Sequence, residues 1–281
     1  MGRMGRGYLH FLAWSAGLLL LIGGLAQPTV TPAIQGGQQK TGVTVSAGIP
    51  KEQLDREAEL KRVMDEGREA HREKKYDLAI SRFQEALELT KNLDRKNQED
   101  ARLWTTDDAL TQISNCYLQL HQLEKAETSF TALLEFRKQN LTYDSSIAVA
   151  LEDLAVVDVM QNNLSRGEDH LKQGIVYIGE CINHFQRSDT YDPQDIVAND
   201  DRKLKARLHM ELANLYAHQG KFDEALSAYE EAYQIGDKFK AEPKSQSAVV
   251  SNAISVAELA NRPDKLKVWQ GRNAALQVKK D

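Results

Sequence analysis

The chain has 281 residues, with 36 Lys and Arg against 41 Asp and Glu, and its formal net charge is −5. An acidic surface of mixed charge offers no basic stripe for the phosphates of nucleic acid or for anionic lipid headgroups. Nucleic acid is therefore excluded as an expected partner. Contact with a membrane is expected only if the apolar segment at the N-terminus is retained.

Residues 1–26 show the order of features that defines a secretory signal peptide. Two basic residues, Arg3 and Arg6, precede an apolar run, and the small residues Gly24 and Ala26 follow it. The run is shorter than the roughly 20 apolar residues that span a bilayer comfortably. We therefore expect export, with cleavage near Ala26, to the periplasm or cell envelope of a bacterium or to the outside of the cell. A single uncleaved N-terminal membrane anchor is the alternative.

The composition changes sharply after this segment. Residues 27–50 contain one charged residue, Lys40, whereas residues 51–77 contain 17. A weakly charged stretch rich in Gly, Gln, Thr and Pro buries too little apolar surface to fold by itself. The pattern predicts a flexible linker over residues 27–55 and a folded domain over residues 56–281.

One pattern of side chains returns several times in the folded domain. Residues 76–87 and 222–233 share an aromatic residue, Ala three residues later, an aromatic residue after four more, and Ala after a further three. Such spacing gives each helix one buried stripe, and a single helix pair cannot cover its own stripes. The small residues let two antiparallel helices approach closely. The repeat therefore predicts stacked helix pairs, in units near residues 56–91, 98–139, 144–186, 201–240 and 245–279.

Equivalent positions of these units are unusually far apart. Ala79 lies 47 residues before Ala126, which lies 41 residues before Gly167. A tetratricopeptide repeat (TPR) has about 34 residues. The chain resembles TPR proteins in these side chains, and in the length of its units it resembles the kinesin-light-chain type. The resemblance implies an all-α fold, a right-handed TPR superhelix (α-solenoid) of about five helix pairs.

TPR arrays present a concave surface, built from the first helix of each pair, to a peptide or protein segment. The resemblance thus implies candidate binding residues at the groove-facing positions: Met64, Arg68, Thr111, Asn115, Leu118, Glu152, Val156, Val159, Met210, Asn214 and His218. Asn115 and Asn214 flank an apolar centre, and an Asn side chain both donates to a peptide backbone and accepts from it. The alternative is that these Asn are solvated and that the valines pack locally.

The sequence contains no motif of catalysis or of cofactor binding. Its seven histidines form no His-Glu-x-x-His pair, and the P-loop and Gly-x-Ser-x-Gly motifs are absent. Cys116 and Cys181 fall on helices at predicted positions roughly 25 Å apart, so both are interpreted as packing residues rather than as a disulfide. We therefore expect no enzyme activity, no cofactor and no metal site.

The expected function is that of an exported, non-enzymatic interaction module or scaffold, which binds a protein or peptide partner in the TPR groove. Two alternatives stay open. One is an accessory or regulatory subunit of an envelope enzyme or secretion complex. The other is a structural scaffold that self-associates through its terminal helices. Trp269 of the degenerate last unit would be exposed for that purpose, and the alternative is that it caps the array.

Overall fold

The computed structural model describes residues 51–93, 99–187, 196–239, 241 and 243–278. The predicted signal peptide and residues 27–50 of the predicted linker lie outside this part of the chain.

The described residues form ten α-helices and no strand, which confirms the predicted all-α fold. None of these helices is long and apolar enough to cross a membrane. The helices are α1 (Lys51–Arg72), α2 (Tyr76–Thr90), α3 (Glu99–Gln119), α4 (Leu123–Asn140), α5 (Ser146–Met160), α6 (Leu164–Gln186), α7 (Ile196–His218), α8 (Phe222–Lys238), α9 (Pro243–Leu259) and α10 (Pro263–Val278).

The same tight turn joins the two helices of every pair. Two residues before each second helix, the backbone takes a positive φ of 52–74° at Lys74, His121, Asn162, Gly220 and Asn261. The next amide always donates to the carbonyl five residues back, over 2.8–2.9 Å. This is the hydrogen bond of a Schellman helix end. Its fivefold occurrence shows five helix pairs, including the third and fifth units, whose side-chain pattern is degenerate.

Small residues and aromatic rings meet where the two helices of a pair cross. Phe83 and Tyr229 are fully buried, and so are Ala79 and Ala225 in the first turns of the same helices. A Cβ atom at Gly67 of α1 would lie 2.7 Å from the Phe83 ring, so only a glycine allows this approach without displacing the ring. The crossing predicted from the repeat pattern is therefore a place of close approach between α1 and α2, and the equivalent residues of α8 are buried in the same way.

Three apolar clusters continue from one helix pair to the next. The first joins α1 and α2 to α3, the second joins α4 to α5, and the third joins α5 and α6 to α7. Cys116 and Cys181 are free thiols, each 0% exposed, as the sequence predicts. Because each pair covers the apolar stripe of its neighbour, the core runs along the array rather than lying in one centre.

Two helices begin about one helical turn before the approximate boundaries predicted for them. Residues 51–55 begin α1 instead of ending the linker, and the Arg56 guanidinium pairs with Glu52 one turn away at 2.6 Å. α7 begins at Ile196 instead of 201. Residues 196–201 contain neither Gly nor Pro, so this stretch contains no residue that would stop a helix.

Trp269 is not exposed for self-association, and its burial agrees with the alternative that it caps the array. Its side chain is 2% exposed and meets the Tyr233 ring edge to face, with centroids 5.7 Å apart. The Arg272 guanidinium lies 4.4 Å from the centroid of the Trp269 ring, and Arg272 also pairs with Glu230 of α8. Trp269 therefore fastens α10 to α8, because its large apolar surface is buried between them.

We expect the substitution Ala225→Leu to overpack the crossing of α7 and α8 and to lower the free energy of unfolding by about 1–3 kcal/mol. In an array held by nearest-neighbour contacts, the damage should concentrate in α7–α10. Hydrogen exchange monitored helix by helix measures this. Ser227→Leu on the exposed side of α8 is the control. Unchanged exchange in α7–α10 of the Ala225 variant would contradict the proposed packing.

Candidate peptide-binding groove

The first helices of successive pairs lie side by side. Arg68 of α1 pairs with Asp108 of α3 at 2.5 Å. Two guanidinium nitrogens of Arg207 in α7 each lie 2.6 Å from an oxygen of Glu152 in α5. In a TPR superhelix these first helices line the concave surface, the inner face of the array. The polar contacts between them therefore lie where a bound segment would pass.

On α3 the predicted residues Thr111, Asn115 and Leu118 share one stripe with Trp104 and Asp108, since these positions follow the spacing i, i+4, i+7, i+11, i+14. All five side chains keep some exposure, and Trp104 is 39% exposed. Asn115 forms no hydrogen bond within the described part of the chain. The stripe therefore offers a large apolar ring and an available amide to a ligand.

The inner stripes of α5 and α7 are more apolar. Val156 and Val159 on α5 and Met210 on α7 are partly exposed, and His218 at the end of α7 is exposed. These four predicted residues remain candidates for contact with a ligand. They extend the surface that begins on α3 towards the C-terminal half of the array.

Three residues predicted to bind a ligand are buried and engaged within the array instead. Their side chains are therefore not available to a ligand. Met64 is 4% exposed because it packs into the apolar cluster of the first units. Glu152 is 6% exposed and holds Arg207. Asn214 is 9% exposed, and its Oδ1 accepts a hydrogen bond of 2.5 Å from the hydroxyl of Tyr229.

Arg68 and Thr111 also have partners within the array. Arg68 donates to Asp65 at 2.8 Å as well as to Asp108. The Thr111 hydroxyl donates to the carbonyl of Asp107 at 2.8 Å and accepts from Arg137 at 3.0 Å. Both side chains are partly exposed, so they border the groove while their polar atoms are already engaged.

A buried arginine joins the second and third pairs below the inner face. Arg137 of α4 is 6% exposed and donates to both carboxylate oxygens of Asp107 on α3, at 2.7 and 2.9 Å. A further nitrogen donates to the carbonyl of Ser146 at the start of α5, at 2.7 Å. A planar guanidinium matches a carboxylate in this two-pronged way. Arg137 thereby fixes α3, α4 and α5 relative to one another.

Two carboxyl groups on the first helices α5 and α7 have raised pKa values. Burial and the charge of Glu152 raise the pKa of Asp153 from 3.8 to about 7. Burial, the charge of Glu152 and a hydrogen bond with that residue raise the pKa of Glu211 well above its ordinary value. Asp153 and Glu211 keep part of their surface open to solvent. Both carboxyl groups hold their protons to a higher pH than an ordinary Asp or Glu does, because burial and a neighbouring carboxylate disfavour the charged form.

Sequence reasoning missed Trp104, Asp153 and Glu211 as residues of this surface. The sequence could have indicated Trp104, because its position one turn before Asp108 continues the stripe of Thr111, Asn115 and Leu118 on α3. No sequence pattern indicates Glu211, because its neighbour Glu152 is 59 positions away in the chain and only the fold brings the two together.

The described residues contain no group of three or more His, Cys, Asp or Glu side chains placed to hold a metal ion. Burial raises the pKa of both thiols, Cys116 and Cys181, to about 12, so neither forms a thiolate near neutral pH. Burial and the charge of Lys205 lower the pKa of His209 to about 4.

The structure predicts that Asn214→Ala destabilises the array, because the buried Tyr229 hydroxyl loses its acceptor, at a cost of about 1–3 kcal/mol. Tyr229→Phe removes the hydroxyl itself. Since the double variant leaves no unpaired hydroxyl, its loss of stability should be smaller than the sum of the two single losses. Urea unfolding of the four proteins measures this coupling. Additive losses would show that the two side chains do not interact.

Asp153→Asn should raise stability in a pH-dependent way. The folded chain holds the Asp153 proton up to a pKa of about 7, whereas the unfolded chain loses it near 3.8. Ionisation therefore destabilises the wild-type fold progressively as pH rises through this window. The difference in the free energy of unfolding between the variant and the wild type should grow from pH 3.8 to about 7 and stay constant above that range. Unfolding at several pH values measures it, with Asp169→Asn on the exposed side of α6 as control. An advantage independent of pH would contradict the assignment.

Comparison with known proteins agrees with this architecture. Models of the tetratricopeptide repeat match residues 107–140 and 206–238. BtubC (BKLC) from P. vanneervenii is similar over 82% of this chain and 92% of its own, with 17% identity and a TM-score of 0.56. A putative kinesin light chain with TPR-like repeats from Podosopora anserina is similar over 80% of this chain and 98% of its own, with 14% identity and a TM-score of 0.56.

A larger protein shares the fold over part of its length. Aspartyl phosphate phosphatase F from Bacillus subtilis has 13% identity and a TM-score of 0.60 over 82% of this chain. The chain covers 53% of that protein. No curated protein matches the sequence. The chain therefore contains tetratricopeptide repeats, folds as an all-α TPR superhelix, and is structurally similar to TPR proteins of the kinesin-light-chain kind.

Proposed function

We propose that the protein is an exported, non-enzymatic interaction module that binds an extended peptide or protein segment along its inner face. The observation that carries this proposal is the exposed stripe of α3. There Trp104 is 39% exposed on the same side of the helix as Asn115, whose amide has no partner among the described residues. A TPR fold supports a role in protein–protein interaction.

The chemistry of the inner face suits an extended segment. Such a segment presents unpaired backbone amides and carbonyls, and a side-chain amide such as that of Asn115 can satisfy one of each. Trp104 supplies a large apolar ring, the kind of side chain that dominates binding energy at interfaces. Val156 and Met210 continue the apolar surface on α5 and α7. A ligand crossing these helices would contact each of them in turn.

The proposal of export rests on the sequence of residues 1–26, where two arginines, an apolar run and small residues follow in the order of a signal peptide. The module would then act in the cell envelope or outside the cell. We expect mass spectrometry of the native protein to find a chain that begins close to residue 27. An intact Met1 in membrane-bound material would support the anchor instead.

A random peptide library displayed on phage tests the binding of extended segments. The full chain should enrich a family of sequences, and Trp104→Ala should weaken binding of the enriched peptides by at least about tenfold, the equivalent of 1.4 kcal/mol. Because the ring is partly exposed, its removal should change the melting temperature little. Fluorescence anisotropy with labelled peptides measures the affinity.

The matched control is Leu78→Ala on α2, which removes an apolar side chain that is 46% exposed on a second helix. Peptide affinity should not change in this variant. If Leu78→Ala weakens binding as much as Trp104→Ala does, or if no peptide is enriched, the inner face is not a peptide site.

A further inference from the structure

We propose that two carboxylates of the array, Asp108 of α3 and Glu152 of α5, decide which segments the inner face accepts. Each of them holds an arginine of a neighbouring first helix, so that neither arginine is available to an acidic ligand. The inner face should therefore reject acidic segments and take segments with uncharged side chains. This inference rests on the proposed function, because it names the chemistry of the segment that binds there.

Both ion pairs lie on the open side of the first helices. Arg68 of α1 reaches Asp108 of α3, and Arg207 of α7 reaches Glu152 of α5. The Arg68 and Arg207 side chains are 42% and 34% exposed, so solvent reaches both of them. The opposite sides of these four helices carry the apolar clusters that pack against other helices. An exposed contact from one first helix to the next therefore lies on the inner face.

Both arginines already hold carboxylates of the array. Two nitrogens of the Arg207 guanidinium each lie 2.6 Å from an oxygen of Glu152. Arg68 donates to Asp108 at 2.5 Å and, through a different nitrogen, to Asp65 at 2.8 Å. A guanidinium binds the carboxylate of a ligand through the same kind of contact. An acidic side chain of a ligand would therefore compete with a carboxylate that is already in place.

Displacement of these carboxylates is unfavourable because water does not fully replace their partner. The Glu152 side chain is 8% exposed, and that of Asp108 is 30% exposed. A shielded carboxylate that loses its cation is left as an uncompensated charge, which is strongly destabilising. An uncharged segment leaves both ion pairs intact. Specificity often arises in this way, from a penalty on the wrong ligand as well as from contacts with the right one.

The side chains beside the two ion pairs suit an uncharged segment. Trp104 lies one turn before Asp108 on α3 and is 39% exposed. Met210 lies one turn after Arg207 on α7 and is partly exposed. Both offer apolar surface to the side chains of a ligand. A segment that packs on them brings its neighbouring side chains next to Asp108 or Glu152, where an acidic side chain would be repelled.

Two pools of random peptides test this selection. Every position is drawn from uncharged residues except one central position, which is fixed as Gln in one pool and as Glu in the other. The two side chains have nearly the same size and differ in charge. Immobilised full-length protein is incubated with each pool at neutral pH and physiological ionic strength, and the retained peptide is quantified by mass spectrometry. We expect the Gln pool to be retained at least about tenfold more than the Glu pool.

Removal of the array's own carboxylates should open the arginines to acidic peptides. The variant with both Asp65→Asn and Asp108→Asn removes the two carboxylate partners of Arg68. Retention of the Glu pool should then rise at least about tenfold, while retention of the Gln pool should change little. Glu152→Gln should act in the same way through Arg207. Melting temperatures check folding, and the Arg68 variant is decisive if Glu152→Gln does not fold, since its two carboxylates are less buried.

The matched control is the variant with both Asp223→Asn and Glu230→Gln. It makes the same change in net charge, but it frees Arg262 and Arg272 beside α8, which is a second helix. The preference for the Gln pool should therefore remain in this variant. Loss of the preference in the control would overturn the inference, because the net negative charge of the chain would then be responsible.

Two further results would overturn the inference while peptide binding itself would stand. One is equal retention of the Gln and Glu pools by the wild-type protein. The other is an unchanged preference in the folded variant that lacks the Asp65 and Asp108 carboxylates. If neither pool is retained, the proposed function fails together with the inference.

Discussion

The close approach of the two helices in each pair is the constraint on which the rest of the structure depends. Gly67 against Phe83 shows how little space is available, since one added carbon atom would meet the ring at 2.7 Å. The equivalent positions of the fourth pair hold Ala213 and Tyr229, and both are fully buried. A pair that closes in this way exposes apolar stripes that only the neighbouring pairs cover. The array, and with it the inner face, therefore exists only as a stack.

Buried polar contacts then fix how the pairs sit on one another. Apolar packing has no direction, whereas a guanidinium that grips a carboxylate with two hydrogen bonds has a defined geometry. Arg137 connects α3, α4 and α5 in this way, and Arg207 connects α7 to α5. The contact of Arg207 joins two first helices, whereas Arg137 lies on the second helix α4 and reaches the first helices α3 and α5. The contacts that hold the array in register thus involve the helices that line the groove, and the side chains engaged in them are not available to a ligand.

The sequence was sufficient to predict the fold, but it predicted the residues of the candidate binding site only in part. The spacing of Tyr76, Ala79 and Phe83 reports local helix crossings, which is why five helix pairs and buried cysteines could be predicted. The position of a residue on a helix does not reveal which side chain from a distant unit meets it. The sequence therefore predicts an amide available to a ligand at Asn214, whose oxygen in fact accepts a hydrogen bond from Tyr229. It also gives no sign that Glu152 meets Glu211.

The most direct measurement of the central claim is NMR mapping of the full chain with a peptide selected from the random library. Methyl groups of Val156, Val159 and Met210 and the amide of Asn115 should shift on addition of the peptide, because all four lie on first helices. Methyl groups of Leu78 on α2 and Val176 on α6, which are 46% and 62% exposed, should not shift. Shifts confined to the second helices would contradict the account, because the peptide would then bind the outer surface.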